Sequence, residues 1–391
     1  MRSKFNLFSF PALFLIFTIF YYVVPLIIFD SFGKVAIQNI TVWIYDNSKI
    51  IYSVCLIVAL SLTLFFFKDN NNNFERYRSY YLNSSKLFMP IYIILIIFNL
   101  LFLAERILNL DINNFLELNR NELLINSNSK ISESLSLICK LLLISFCVVN
   151  SIICRKFKFL YPLLIILIAD ISILSRGLIL ALIIGLGSFL NFTNYKFKKS
   201  YFIVFIAAIF FMRPILTGHI LDVFDTSENR FEFLGEFMNT FSGAVLLSNG
   251  NFDLSSELAF NSIYGYLKPP IIPNFFEFPE AISPAMIFDE FFSANYNISG
   301  LAGGLLMEMI VFSPIFCILL IFIIFLFLRF IINTKSYILK IFYIFCLIQL
   351  PSVFRWSLFT YVGNNIFSMI YIFLPLLIVE FFSNQKIKKF K

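Results

Sequence analysis

The sequence predicts an all-α fold, a polytopic transmembrane bundle of about ten spans with one large, partly helical loop. Three observations carry that expectation. Of the 391 residues, 60% are hydrophobic and only 14% charged. Soluble domains carry nearer a quarter charged residues, so a soluble reading would need a core larger than this chain encloses. The mean hydropathy of +0.87 points the same way. The apolar residues, 54 phenylalanines among them, fall in runs of about twenty, enough for a helix to cross a ~30 Å hydrocarbon core. These runs lack the period-two alternation of a transmembrane barrel, which excludes that architecture.

Ten runs are read as spans: 8–29, 49–67, 87–108, 132–153, 159–175, 176–193, 200–216, 301–328, 337–354 and 360–382. The first opens like a signal peptide, with Arg2 and Lys4 before an apolar stretch. It continues to Phe29 without a small-residue cleavage site, so it is read as a retained span. The loop before the third span carries a low-complexity tip, Asn70–Asn73, to which no role is assigned. The fifth and sixth spans are joined by the tight turn Ser175–Arg176–Gly177. After the seventh comes a segment of about 85 residues, too long to be a mere connector. Within it Phe231–Leu247 reads as an amphipathic helix, and Asp253 as the N-cap of a short helix through Tyr264. Pro269, Pro270, Pro273 and Pro279 then force an extended path, and Ser283–Pro284 restarts a helix. The chain thus divides into 1–216 (seven spans), 217–300 (the large outer loop, a lid or substrate platform) and 301–391 (three spans and a basic tail).

Loop charges orient the bundle. With the N-terminus inside, the inner segments hold 19 of the 30 basic residues, from Arg2 to Lys391, and only Asp69, Glu75 and Glu380 among the acids. The balance is +16 inside and −9 elsewhere. Because the basic excess recurs at every inner segment, the positive-inside rule gives N-in and C-in. The overall +7 therefore reflects sidedness, and no nucleic-acid partner is inferred. The six cysteines lie in or at the ends of apolar runs with no CxxC pair; they read as small packing residues, and neither a disulfide framework nor a zinc site is encoded. No internal repeat is visible, which argues against inverted-repeat transporters.

Ionisable residues within spans are costly, about 2.5–3.5 kcal/mol on insertion scales, and commonly face a partner or a wet cavity. Here they gather in the outer half. Glu105 and Arg106 end the third span. Lys140 lies roughly 12 Å, and Asp170 roughly 8 Å, from the outer edge of their helices at 1.5 Å per residue. Arg176, Arg213 and Arg355 stand at outer span ends, and Glu308 is about a third of the way into the eighth run. A cavity opening outward would explain the set. Blander readings stand beside it: an interfacial Glu105–Arg106 pair, mutual neutralisation of Lys140 and Asp170, snorkelling of Arg176. His219 is the sole histidine. Three arginines at one face suit an anionic ligand, since the guanidinium fork matches phosphate bidentately. No P-loop, dinucleotide fingerprint, metal-ligating His cluster or GxSxG elbow occurs, nor a DxD pair, so no metal or cofactor is expected.

The segment Ile171–Ala181, with Ser175–Arg176–Gly177 at its centre, resembles the Ser-Arg-Gly hairpin of O-antigen (Wzy-type) polymerases. The Pro- and aromatic-rich loop after the seventh span is similar to theirs, as is Gly303–Gly304 followed by Glu308 and Phe312. The resemblance implies a metal-independent inverting glycosyltransferase in the bacterial inner membrane. Its donor would be a growing glycan on undecaprenyl diphosphate, and its acceptor a single lipid-linked repeat unit. It implies that Arg176, Arg213 and Arg355 stabilise the diphosphate leaving group. Glu308 or His219 would take the acceptor proton, with Asp170, Lys140 and Arg106 supporting. A polysaccharide chain-length regulator is the implied protein partner. An O-antigen ligase, which would transfer glycan to lipid A-core, shares these features. A repeat-unit flippase or other transporter would instead place charges along the whole transbilayer path.

Overall fold

The computed structural model describes residues 8–32, 34–37, 40–43, 48–67, 77–109, 133–171, 177–193, 235–249, 287–288, 291–293 and 304–389. The first span forms as α1 (Phe10–Thr18) and α2 (Val24–Phe32), joined by a π-helical turn at Ile19–Val23. Ser9 starts α1 by accepting the Ala12 N–H at 3.5 Å, and Pro11 occupies the first turn, where a missing N–H costs nothing. The π turn ends two residues before Pro25, whose ring and absent N–H disrupt the i−4 bond that a regular helix needs. The same device recurs near the C-terminus.

Two strands follow, β1 (Lys34–Ile37) and β2 (Ile40–Trp43), antiparallel with Val35 opposite Val42 and Ile37 opposite Ile40. This small hairpin is a local addition to an otherwise helical bundle, which agrees with the all-α expectation; its Val, Ile and Thr content suits a ladder. Next come α3 (Ser48–Phe66), α4 (Arg78–Leu87) and α5 (Met89–Asn109), the last two meeting at a 58° bend. They are followed by α6 (Glu133–Cys154), α7 (Leu163–Ile171) and α8 (Gly177–Phe192). The loop segment contributes α9 (Gly235–Asn249), close to the expected 231–247. Residues 287–288 and 291–293 are helical beyond Ser283–Pro284. The expected helix at Asp253–Tyr264 and the seventh span at 200–216 lie outside the described residues.

The run 301–328, expected as one span, is two helices, α10 (Gly304–Val311) and α11 (Pro314–Asn333). Ser313 breaks it: its backbone is extended, its hydroxyl accepts the Phe316 N–H at 3.5 Å, and Pro314 pushes its neighbour out of helical geometry. Then α12 (Tyr337–Gln349), α13 (Pro351–Arg355) and α14 (Leu358–Ser368) lead through a π turn at Met369–Phe373, two residues before Pro375, into α15 (Leu374–Lys389).

Among the described residues six helical runs are long and apolar enough to cross a membrane, or seven with the bent α4–α5 pair. The runs Phe157–Ile168 and Leu178–Phe192 are apolar but shorter. The outer helices expose ladders of large apolar side chains, such as Ile315, Leu319, Ile323, Phe327 and Phe330 on α11. Such a face at i, i+4 spacing would aggregate in water and is solvated by lipid. The chain is a multi-pass membrane protein. At its centre stand α6 and α12, 78% and 83% buried over their apolar windows, with α8 packed against both.

Among the described residues, several of the segments that the charge count assigns to one side meet at one end of the bundle. Arg78 donates from Nε to the Ile153 carbonyl at 2.7 Å, and Tyr81 donates to the Thr334 carbonyl at 3.2 Å. Arg329 stacks 5.6 Å from the Phe67 ring centroid, and Lys335 lies 5.0 Å from that of Tyr77. Phe157 and Phe189 touch edge-on at 5.0 Å, closing α7 and α8 into an antiparallel hairpin with its open ends at this side. Two buried charges finish this basic end. Lys340 donates to the last carbonyls of α11, Ile331 (3.3 Å) and Ile332, while Glu380 accepts the Tyr337 N–H, at the start of α12, at 2.8 Å. Each charge has the sign that its helix terminus favours.

Candidate functional site

At the opposite end, the short helix α10 carries Glu308 into the protein interior. Its first residue, Gly304, has φ +64°, and a Cβ there would stand 2.5 Å from the Phe354 carbonyl oxygen and 2.7 Å from Thr240 Cγ2. Only glycine suits both the left-handed backbone and the contact. That approach lets the Gly304 N–H donate to the Trp356 carbonyl at 2.8 Å. One turn on, Glu308 is fully buried. Its carboxylate accepts the Ser357 hydroxyl and, at 2.7 Å, the Leu358 N–H. Ser357 is also the N-cap of α14, accepting the Thr360 N–H at 3.0 Å. The carboxyl group therefore sits at a helix N-terminus, with hydrogen bonds that offset its removal from solvent.

Arg355 ends α13, two residues before Ser357, and is half-buried. Its guanidinium carbon lies 5.2 Å from the ring centroid of Trp356, which is 47% exposed. Behind this corner Phe354 is ringed by Phe14, Phe17, Tyr21 and Tyr22, with centroids 5.0 to 5.8 Å away. On the other flank α9 packs against α10, with Phe241, Ala244 and Val245 at zero exposure. This helix of the expected 217–300 loop thus forms a wall of the core, buried on more sides than an amphipathic helix would be.

Lys140 lies on α6, almost fully buried, with Nζ 5.0 Å from the centroid of the Phe102 ring on α5. Glu105 is one turn along α5 on the same face as Phe102. Both helices have their other ends at the basic side, so Lys140 and Glu105 belong to the half of the bundle that holds Glu308. The structure thus brings Glu308 to the α13–α14 corner on which Arg355 stands, and separately sets Lys140 against the helix bearing Glu105. Arg106 and Asp170 lie on α5 and α7, their side chains outside the described set. Arg176, Arg213 and His219 fall outside the described residues altogether.

Sequence reasoning passed over Ser357 and Trp356, and over Lys340 as more than a loop charge. The Arg355–Trp356–Ser357–Leu358 stretch does carry a signal, a serine at a break in an apolar run. A cavity of about 580 Å³ opens at the basic end, lined by Tyr80, Ser336, Leu377, Glu380 and Phe381, away from the residues singled out above. Among the described residues no group of three or more His, Cys, Asp or Glu could hold a metal ion. Comparison with protein-family models, curated proteins and solved structures finds no match.

Proposed function

We propose that this membrane protein polymerises undecaprenyl-diphosphate-linked oligosaccharide repeat units into surface polysaccharide, O-antigen or capsule, at the periplasmic face of the bacterial inner membrane. The reading adopts ten spans with both termini in the cytoplasm and a periplasmic loop at 217–300. It is supported by the resemblance of the Ser175–Arg176–Gly177 turn and the Gly304-to-Glu308 segment to Wzy-type polymerases. The observation that carries it furthest is the meeting of Glu308 with the α13–α14 corner that bears Arg355, at the end opposite the basic one.

In this reaction the acceptor hydroxyl of one lipid-linked repeat unit attacks the anomeric carbon of the donor glycan. The bond to the lipid diphosphate breaks with inversion, and the diphosphate leaves with the electron pair. Arg176, Arg213 and Arg355 supply guanidinium groups for the charge that develops on it. A group at the same face, Glu308 or His219 by sequence, takes the hydroxyl proton. Deleting the gene tests the assignment: surface lipopolysaccharide capped with a single repeat unit is expected. Loss of every repeat unit from the surface would point to ligation or translocation, and an unchanged ladder would rule out all three. Co-purification with a chain-length regulator is the accompanying expectation.

A further inference from the structure

Among the described residues four charged side chains are buried: Lys140, Glu308, Lys340 and Glu380. The two acids share one arrangement at opposite ends of the molecule. Glu380 accepts the Ser336 hydroxyl at 2.5 Å and the N–H groups of Tyr337 and Ile338 at 2.8 and 3.3 Å, while Ser336 accepts the Leu339 N–H at 3.2 Å. Glu308 takes the Ser357 hydroxyl and the Leu358 N–H, while Ser357 accepts the Thr360 N–H. In each case a serine N-cap and the first helical amide are bound by a glutamate from another helix. Glu380 stands at the basic end, away from Glu308 and Arg355. The arrangement is thus in itself a way of tying the start of one helix to another.

Its consequence differs at the Glu308 end. There α10 holds the chain on both sides of Ser357: Gly304 binds the Trp356 carbonyl, and Glu308 binds the Leu358 amide. The chain just before it carries Arg355 and the exposed Trp356 side by side. A guanidinium next to an indole face is suited to a phosphate and a sugar ring in one ligand. We propose that Glu308 is a positioning residue, not the proton acceptor: it fixes the α13–α14 corner so that Arg355 and Trp356 together meet the sugar-diphosphate portion of the lipid-linked substrate. The carboxylate has no exposed surface, and both of its oxygens already accept bonds from the corner it holds. This inference rests on the proposed transfer reaction for its substrate, but not for its geometry.

The test uses the full-length protein reconstituted in lipid nanodiscs, with Trp43→Phe so that Trp356 is the sole indole of the chain's two. Glu308→Gln, Glu308→Ala, Ser357→Ala and the double alanine variant are compared by Trp356 emission and acrylamide quenching. Polymer formation from lipid-linked repeat units is measured alongside. Glutamine can accept the Leu358 N–H and donate to Ser357, so its emission should match wild type and its rate should fall no more than a few-fold. Both single alanine variants should shift the emission and slow the reaction on the order of tenfold to a hundredfold, as misplaced binding groups do. The double variant should be no worse than either. A loss of about a hundredfold or more in Glu308→Gln with unchanged emission would make Glu308 the proton acceptor and overturn the proposal. Unchanged emission in both alanine variants would overturn it as well. If Glu308→Ala does not fold, Ser357→Ala and Glu308→Gln still decide. If even the wild type forms no polymer, the transfer reading fails while the emission comparison still judges the tether.

Discussion

Single side chains explain why this bundle tolerates polar groups in its interior. Asn150 on α6 accepts hydrogen bonds from Ser85 at 2.7 Å and from Tyr337 at 2.8 Å, joining three helices near the basic end. Leaving two buried donors without an acceptor costs about 1–3 kcal/mol for each. Asn150→Leu should therefore lower the unfolding temperature in detergent by more than Tyr337→Phe does, and adding Tyr337→Phe to it should recover part of the loss. An equal loss from all three variants would show that the acceptor does not matter. Gly304 makes a sharper case, because φ +64° and the 2.5 Å approach to the Phe354 carbonyl act together. Left-handed backbone alone costs a side chain about 1–2 kcal/mol. Gly304→Ala should strongly reduce folded protein in the membrane, whereas normal yield would mean that α10 can shift away from the α13–α14 corner. The sequence marked Glu308 as unusual because a charge in an apolar run is conspicuous by itself. Its partner Ser357, 49 residues away, has no spacing rule to betray it.

Whole elements were legible where the signal is local. Runs 8–29, 49–67, 132–153 and 337–354 correspond closely to helical runs Phe10–Asp30, Ser48–Phe66, Leu135–Cys154 and Tyr337–Arg355, because hydropathy summed over twenty residues needs no tertiary information. The run 301–328 misled because its apolar character continues unbroken through Ser313–Pro314, the same start signal recognised at Ser283–Pro284. The β-hairpin at 34–43 was missed for the opposite reason, since four-residue strands are too short to stand out beside spans. The α7–α8 hairpin was expected from the tight turn at Ser175–Gly177, and the Phe157–Phe189 contact agrees with it. A variant with cysteines at 157 and 189, and the six native cysteines replaced, should be joined by a short bifunctional thiol reagent within one chain. Absence of that product, with both thiols accessible to a monofunctional reagent, would break the hairpin.

On the scale of the molecule, the described basic residues gather at one end and the buried Glu308 lies toward the other. The contacts of Arg78, Arg329 and Lys335 with neighbouring elements bring the described basic segments to one end, which the proposed topology places in the cytoplasm. A phosphatase reporter fused after Gly250 should be active and one after Asn72 inactive; the reverse would invert every assignment of an outer face. The candidate site was legible only as a list of charges, since its assembly depends on α10 folding back onto α13 and α14, a non-local event. The proposed reaction is the polymerisation of lipid-linked glycans at this face without other enzymes. The most direct measurement incubates the purified protein in liposomes with undecaprenyl-diphosphate-linked repeat units and resolves the lipid-linked products by length. A ladder rising in steps of one repeat unit is expected, with chelator present and no nucleotide sugar added. Repeat units that remain single while the wild-type protein is folded and correctly oriented would contradict it.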